Sequence, residues 1–230
     1  MKIALLALAA LSFGPAPGAY AKTAANMTGH EQRVALQVLA RCNLEQMRPL
    51  AVDMALNLGT PNVAGNFGKL GNATCAKRVS SDFARIRISA AALASAIAEE
   101  LLQGRDLGSL SEKLSDAPAI QRNAEPTFDP AKGSRERFDA MLATNRAERT
   151  LDVLGECVVR KSPQLVAGVF QTGMDTPEEN SALKAVLPTV SECVASGAIK
   201  VRPAQIRQVF AINYLRLAAA AVPGFKEGLL

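Results

Sequence analysis

Residues 36–42 read Leu-Gln-Val-Leu-Ala-Arg-Cys, and residues 151–157 read Leu-Asp-Val-Leu-Gly-Glu-Cys. Leucine, valine, leucine and cysteine occupy the same four places in both stretches. Each stretch is followed by a segment that begins at a proline, Pro49 in the first case and Pro163 in the second. Self-similarity over several successive segments is the signature of a duplicated structural unit. The sequence therefore predicts two tandem copies of one unit.

The agreement continues beyond the proline segments. A threonine-proline pair, at 60–61 and again at 176–177, opens a third segment that leads to a second cysteine. A fourth segment then repeats an apolar residue at every fourth position. The further matched pairs are Cys75 with Cys193, Leu93 with Ile206, Ile97 with Phe210, and Leu101 with Tyr214.

Helix signals dominate all of these segments. Apolar residues between positions 183 and 194 recur at intervals of three and four, which indicates a buried helix face. The chain shows no sustained alternation of apolar and polar residues, the pattern of a half-buried strand. We therefore predict an all-α fold. The predicted helix ends are capping boxes at Thr28/Glu31 and Asn145/Glu148, starts at Ser162-Pro163 and Thr176-Pro177, and a left-handed stop at Gly173.

The ends and the middle of the chain divide it into five parts. Lys2, the apolar run at residues 3–11 and the small residues around Ala21 have the build of a secretory signal peptide that is cleaved after Ala21. Proline and glycine recur between Asp116 and Gly133 with little apolar content, which is typical of a linker. We predict a signal peptide at 1–21, helical unit 1 at 22–115, a linker at 116–133, helical unit 2 at 134–222 and a C-terminal tail at 223–230.

This organisation predicts an exported protein. The nine apolar residues at 3–11 are far fewer than the roughly 20 that a membrane-spanning helix needs, and no later run approaches that length. We expect no membrane span after cleavage of the signal peptide. The predicted location of the soluble mature chain is the periplasm or the exterior of the cell.

Four cysteines in an exported chain predict disulfide bonds. A unit that is copied whole keeps its bond within itself, so we predict that Cys42 pairs with Cys75 and that Cys157 pairs with Cys193. Redox enzymes use two cysteines separated by two residues, and structural zinc sites use closely spaced pairs. Neither spacing occurs here, so we predict neither a redox-active cysteine pair nor a metal site.

Residue types that carry chemistry are sparse. The one histidine, His30, stands beside a predicted helix start, where we expect a solvated end residue. Ser181 and Lys184 match the Ser-x-x-Lys pattern of penicillin-recognising enzymes, but the other elements of that site are missing. The glycines at 59, 65, 68 and 71 include neither the Gly-Lys-Ser/Thr of a phosphate-binding loop nor a Gly-x-Gly core, so neither nucleotide-binding pattern is present. Gly65 to Gly71 is either a binding loop or a degenerate helix, and we predict no catalytic residue and no cofactor.

The charge pattern argues against nucleic acid. The net charge of +5 is dispersed along the chain, aromatic residues make up 4%, and tryptophan is absent. Proteins that bind nucleic acid concentrate basic residues on one face and add stacking aromatic side chains. We therefore expect solvated basic residues and no nucleic-acid partner.

Two stretches resemble a known group of proteins. Residues 155–160, Gly-Glu-Cys-Val-Val-Arg, with Pro163, and residues 91–101, Ala-Ala-Leu-Ala-Ser-Ala-Ile-Ala-Glu-Glu-Leu, resemble uncharacterised exported proteins of alphaproteobacteria that carry this two-cysteine helical unit in tandem. The likeness covers most of residues 31–221. It implies export, a bacterial periplasm and tandem units, and it implies no activity and no catalytic residue.

These observations favour a non-catalytic binding or interaction module. The predicted partner is a periplasmic peptide, protein or cell-wall component, because helical repeats leave grooves between their units. Two alternatives remain open at this point. One is a hydrolase that uses carboxylate or serine-lysine chemistry, and the other is a structural or stress-related envelope protein.

Overall fold

The fold is known from a computed structural model that describes residues 28–61, 70, 73–79, 88–194 and 203–230. These residues form α-helices and short 3-10 turns, with no strand among them, which confirms the predicted all-α class. The 3-10 turns are Pro130–Lys132 and Glu227–Leu229. The helices are α1 Gly29–Asn57, α2 Ala73–Val79, α3 Ala90–Leu102, α4 Leu107–Ser111, α5 Arg135–Lys161, α6 Pro163–Phe170, α7 Pro177–Cys193 and α8 Pro203–Ala221.

Some predictions fall on other parts of the chain. The signal peptide at 1–21 lies outside the described residues, and so do the glycines at 65, 68 and 71. The cleavage site after Ala21 and the nature of the Gly65 to Gly71 stretch therefore stay predictions.

Local sequence signals set two of the predicted helix starts. Thr28 caps α1 as expected: its hydroxyl accepts from the Glu31 backbone N–H at 3.2 Å, and the Glu31 carboxylate accepts from the Thr28 backbone N–H at 2.7 Å. Thr176 caps α7 in the same way, accepting from the Glu179 N–H at 3.2 Å. Both starts satisfy backbone donors that the helix itself leaves free.

The predicted capping box at Asn145/Glu148 is wrong. Asn145 lies inside α5, which begins ten residues earlier with Ser134 as its cap. The Ser134 hydroxyl accepts from the Arg137 N–H at 3.3 Å. The stretch around Asn145 is rich in alanine, arginine and glutamate, which favour a helix, so the helix continues through a single asparagine.

The end of α6 also differs from expectation. Pro163 opens this helix as predicted, but Gly173 does not end it in a left-handed conformation, because α6 already ends at Phe170. The left-handed residue is Asp175, with φ of 58°. Its backbone N–H donates to the Glu179 carboxylate at 2.6 Å, and aspartate tolerates this region better than most residues.

A non-helical residue interrupts each of the two long helical runs. Met47 in α1 has φ of −140° and ψ of 46°, which places a kink two residues before Pro49. Ser162 has φ of −140° and ψ of 56° and separates α5 from α6 directly before Pro163. Proline lacks a backbone N–H and crowds the preceding turn, which accounts for a break at both places. The Ser162 hydroxyl does not cap α6 and instead bonds that of Thr189 at 2.7 Å.

Helices from both halves of the chain share one hydrophobic core. Helix α1 packs on α3, α5 packs on α8, and α3 packs against α8 at the centre. On α7, Leu183 and Val186 are buried, whereas Leu187 is 47% exposed, so the buried face is narrower than the apolar pattern predicts. Buried core residues from the two halves include Leu39, Ile97, Phe210, Tyr214 and Leu217.

Both predicted disulfides are confirmed. Cys42 is bonded to Cys75 with a Cα–Cα distance of 5.5 Å, and Cys157 is bonded to Cys193 with a Cα–Cα distance of 5.9 Å. The first bond joins α1 to α2, and the second joins α5 to the end of α7. Each bond therefore ties a peripheral helix to a long helix that packs on the central α3 and α8 pair.

Candidate functional site

A polar cleft of about 550 Å³ lies between α1 and the C-terminal end of α3. Its volume is within the range of pockets that hold small ligands. Three arginines and two glutamates line it, so positive charge is in excess. The lining residues are Arg41, Leu44, Glu45, Arg48, Glu100, Leu101, Gln103, Gly104 and Arg105.

Helix periodicity and one glycine bring the charged residues together. Arg41, Glu45 and Arg48 are spaced by four and three residues along α1, which places them on one helix face. On the other side, α3 ends at Leu102, and Gly104 has φ of 73°, a left-handed conformation that glycine adopts without strain. The chain turns there, and Arg105 lines the same cleft.

Two of the lining residues form an ion pair. Nε of Arg41 lies 2.8 Å from Oε2 of Glu100, whose side chain is only 7% exposed. Gln103 Nε2 also donates to the Glu100 carboxylate, at 3.3 Å. The hydrogen bond and the negative charge of Glu100 raise the pKa of Arg41 above its usual value. Glu100 therefore acts as an anchor that holds Arg41 at the edge of the cleft.

Arg48 and Arg105 have a different environment. Arg48 Nε donates to the Leu229 carbonyl at 2.7 Å, and Arg105 Nη2 donates to the Gly228 carbonyl at 3.0 Å. The Arg105 guanidinium also lies 4.8 Å from the centre of the Phe225 ring. Within the part of the chain that the structure describes, neither arginine forms an ion pair with a carboxylate.

The two guanidiniums influence each other. Partial burial and the nearby positive charge of Arg48 both lower the pKa of Arg105. Two positive charges that are close together and are satisfied only by neutral carbonyls produce a positive local potential. Such a site attracts anionic groups, and guanidiniums bind carboxylates and phosphates with good geometry.

The polar lining of the cleft consists of arginine, glutamate and glutamine side chains. Serine, threonine, cysteine and histidine are absent from the nine residues that line the cleft. Both of its carboxylates have cationic partners, since Glu100 pairs with Arg41 and Glu45 lies 2.5 Å from Arg78.

The residues that the sequence singled out lie elsewhere. His30 is exposed at the start of α1, and its Nδ1 lies 2.7 Å from Oδ2 of Asp175, a contact that the sequence did not indicate. Ser181 and Lys184 are exposed on α7, and the Ser181 hydroxyl donates to the Pro177 carbonyl at 3.0 Å. Among residues 28–61, 70, 73–79, 88–194 and 203–230, no group of three histidine, cysteine, aspartate or glutamate side chains could hold a metal ion.

Sequence reasoning missed the three arginines of the cleft. The spacing of Arg41, Glu45 and Arg48 is visible in the sequence, but it is also the spacing of any solvated helix face. These residues differ from an ordinary solvated face because Arg105, which follows the end of α3, lines the same cleft. The position of Arg105 beside α1 depends on the packing of α1 on α3, which no local sequence pattern predicts.

Comparisons of the chain with protein-family models, with curated proteins and with solved structures give no match.

In the described part of the chain, no helix combines the length and the apolar character that crossing a membrane requires.

Proposed function

We propose that this protein is a non-catalytic binding module whose ligand occupies the cleft between α1 and α3. One observation carries the proposal: Arg48 and Arg105 line an open cleft and donate only to backbone carbonyls. An anionic group on a ligand would give both guanidiniums a charged partner. Because a guanidinium attracts an anionic oxygen more strongly than a neutral carbonyl oxygen, such a ligand gains electrostatic free energy at this site.

The proposal includes an exported location and a duplicated architecture. Two disulfides fit an oxidising compartment such as the periplasm. Duplication is supported by the near-identical dihedral angles of Met47 and Ser162, each five residues after the first cysteine of its disulfide. It is also supported by the packing of α1 on α3 and of α5 on α8.

Export is tested by expressing the full chain in a bacterium and sequencing the N-terminus of the protein recovered from the periplasm. We expect the mature chain to begin at Lys22, directly after the predicted cleavage site. Retention of the uncleaved chain in the cytoplasm would contradict the exported location without affecting the cleft.

Binding is tested by affinity capture with cleft variants. The oxidised protein is immobilised and exposed to an envelope extract from the source organism, and bound material is eluted with salt. The test variant carries Arg48→Gln together with Arg105→Gln, since glutamine keeps a hydrogen-bond donor for the tail carbonyls but removes the charge. The control variant carries Arg137→Gln, which removes an exposed charge from α5, away from the cleft.

We expect at least one component that the wild type and the Arg137→Gln variant retain and that the double variant loses. If all three proteins retain the same components, or if none retains any, the cleft is not the binding site. Circular dichroism of each variant, compared with wild type, verifies that the fold is intact.

A further inference from the structure

The face of α5 that carries Glu156 and Arg160 is covered by the chain's own residues 115–123. Arg160 Nη1 donates to the Ala117 carbonyl at 2.6 Å. Glu156 Oε1 accepts from the Ile120 backbone N–H at 3.2 Å. Residues 118–123 have no regular secondary structure. This segment, which overlaps the start of the predicted linker at 116–133, is thus held by the helix largely through its backbone.

One side chain of the segment adds a charge contact. Arg122 Nη1 lies 2.6 Å from Oε2 of Glu156, and Arg122 Nε lies 2.6 Å from Oδ2 of Asp152. Burial alone would raise the pKa of Glu156, but hydrogen bonds from Arg122 and Arg160 lower it below its usual value. The segment is therefore held by backbone hydrogen bonds and by one arginine that neutralises an acidic helix face.

The matching face of α1 borders the open cleft. Helix α1 packs on α3 as α5 packs on α8, so both faces belong to a long helix that packs on the central α3 and α8 pair. The charges on the two faces are reversed. Counted from the first cysteine of each disulfide, the matched residues are Arg41 with Glu156, and Glu45 with Arg160.

We propose that the cleft of α1 and α3 binds an extended acidic peptide segment of a partner protein, in the manner in which α5 holds residues 115–123. This proposal rests on the proposed function and names its ligand class. Arg41 stands where α5 has Glu156, and it stays 56% exposed although it pairs with Glu100. A carboxylate of the bound segment can therefore approach Arg41 where residues 115–123 have Arg122. Arg48 and Arg105 supply further positive charge for the same segment.

Arginine side chains recognise backbone carbonyls both on α5 and beside the cleft. On α5, Arg160 Nη2 donates to the Pro118 carbonyl at 2.8 Å. At the edge of the cleft, Arg105 Nη2 donates to the Gly228 carbonyl. A folded ligand presents few free carbonyls, whereas an extended segment presents one at every residue. The chemistry of the cleft therefore favours an extended segment over a compact ligand.

The test uses three synthetic peptides with blocked ends and the full mature protein in its oxidised form. The first peptide has the sequence of residues 115–124 with Arg122→Glu, which reverses the charge that α5 recognises. The second has the natural sequence of residues 115–124, and the third is a scrambled form of the first. Isothermal titration calorimetry at low salt measures the dissociation constant of each.

We expect the glutamate peptide to bind about tenfold more tightly than the natural and scrambled peptides, because charge complementarity sets specificity at such interfaces. Two single variants act in opposite directions. Arg41→Gln should weaken binding of the glutamate peptide about fivefold, and Glu45→Gln should strengthen it by about twofold to fivefold, in keeping with partly exposed charges.

Equal affinities for the glutamate and scrambled peptides would overturn the proposal, since net charge alone would then explain binding. Tight binding of the glutamate peptide that neither Arg41→Gln nor Glu45→Gln alters would also overturn it. If no peptide binds while the affinity capture still yields a partner that depends on Arg48 and Arg105, the proposed function stands and the ligand class is wrong. If both experiments fail, the cleft is not a binding site at all.

Discussion

Nη2 of Arg207 in α8 lies 2.6 Å from Oε1 of Glu99 in α3, and the two side chains are 4% and 8% exposed. Arg207 Nη1 lies 3.1 Å from Oε1 of Glu179 in α7, which is 3% exposed. Buried charges persist only when they are paired and hydrogen-bonded. This triad therefore fixes how α3, α7 and α8 meet at the centre of the molecule.

Arg207→Ala should destabilise the protein strongly. The substitution leaves Glu99 buried without its charged partner, whereas Glu179 keeps Arg33 at 2.6 Å. Breaking a buried ion pair in this way costs about 3–5 kcal/mol. Urea unfolding followed by circular dichroism measures the change in the free energy of unfolding.

Arg135→Ala is the matched control for that change. Arg135 pairs with Asp139 at 3.0 Å on the surface of α5, where both side chains are more than half exposed. We expect this substitution to change the free energy of unfolding by less than about 1 kcal/mol. Equal losses for the two variants would mean that the buried triad contributes no more than a surface pair.

Acid should destabilise the protein through Glu179. Burial would raise the pKa of this carboxyl, but hydrogen bonds from Arg33 and from the Asp175 backbone, together with the positive charges of Arg33 and Arg207, lower it below its usual value. A carboxyl with a depressed pKa in the folded state stabilises fully above its unfolded pKa and loses that contribution as the pH falls through its folded pKa. The urea midpoint should therefore be flat near neutrality and fall below about pH 4.5, the range in which unfolded glutamate titrates.

The variant Glu179→Gln tests the assignment. It should be less stable than wild type at pH 7 and should lose less stability between pH 5 and pH 3 at a given urea concentration, because it has no carboxyl to protonate at this position. Glu112→Gln, at an exposed position after α4, should keep the wild-type pH dependence. A Glu179→Gln curve parallel to that of wild type would assign the acid sensitivity to other groups.

Features that depend on neighbours along the chain could be predicted from the sequence. The Thr28 cap and the start at Pro163 follow from a few adjacent residues, and both are present. The pairing of Cys42 with Cys75 followed from the repeat, since matched positions narrowed three possible pairings to one. Asn145 shows the limit of such patterns, because residues with the sequence of a capping box start a helix only where the preceding residues are not already helical.

Contacts that depend on packing could not be predicted. Arg207 and Glu99 are 108 residues apart in sequence, and neither position carries a local signal for its partner. The same holds for Arg48 and Arg105, whose shared cleft appears only when α1 and α3 are packed together. The candidate site was therefore missed although every one of its residues was visible in the sequence.

Loss of either disulfide should destabilise the protein by a similar amount. The two bonds join residues separated by 33 and 36 positions, and closing loops of that length stabilises by roughly 3–4 kcal/mol in the chain-entropy model. The test variants replace both cysteines of one bond by serine, Cys42 with Cys75 or Cys157 with Cys193. Urea unfolding under oxidising conditions measures each change.

Peptide mapping without reduction accompanies that measurement and verifies the remaining bond in each variant. A fragment that links Cys42 to Cys157 or to Cys193 in the wild type would contradict the pairing itself. A serine variant as stable as wild type would show that its bond does not limit the freedom of the unfolded chain.

Gly155→Ala should destabilise the protein because residues of α8 lie very close to α5 at this position. A Cβ atom on Gly155 would overlap Cγ1 of Val209 and would lie 2.6 Å from Nδ2 of Asn213. Overpacking of this kind costs about 1–3 kcal/mol, since a helix or a side chain must move.

Gly168→Ala in α6 is the control, because a Cβ atom there meets no atom within 4 Å. Alanine favours a helix over glycine by up to about 1 kcal/mol, so the control should be neutral or stabilising. Thermal unfolding of the two variants should therefore shift in opposite directions relative to wild type. A loss of stability in both would point to glycine itself rather than to the approach of α5 to α8.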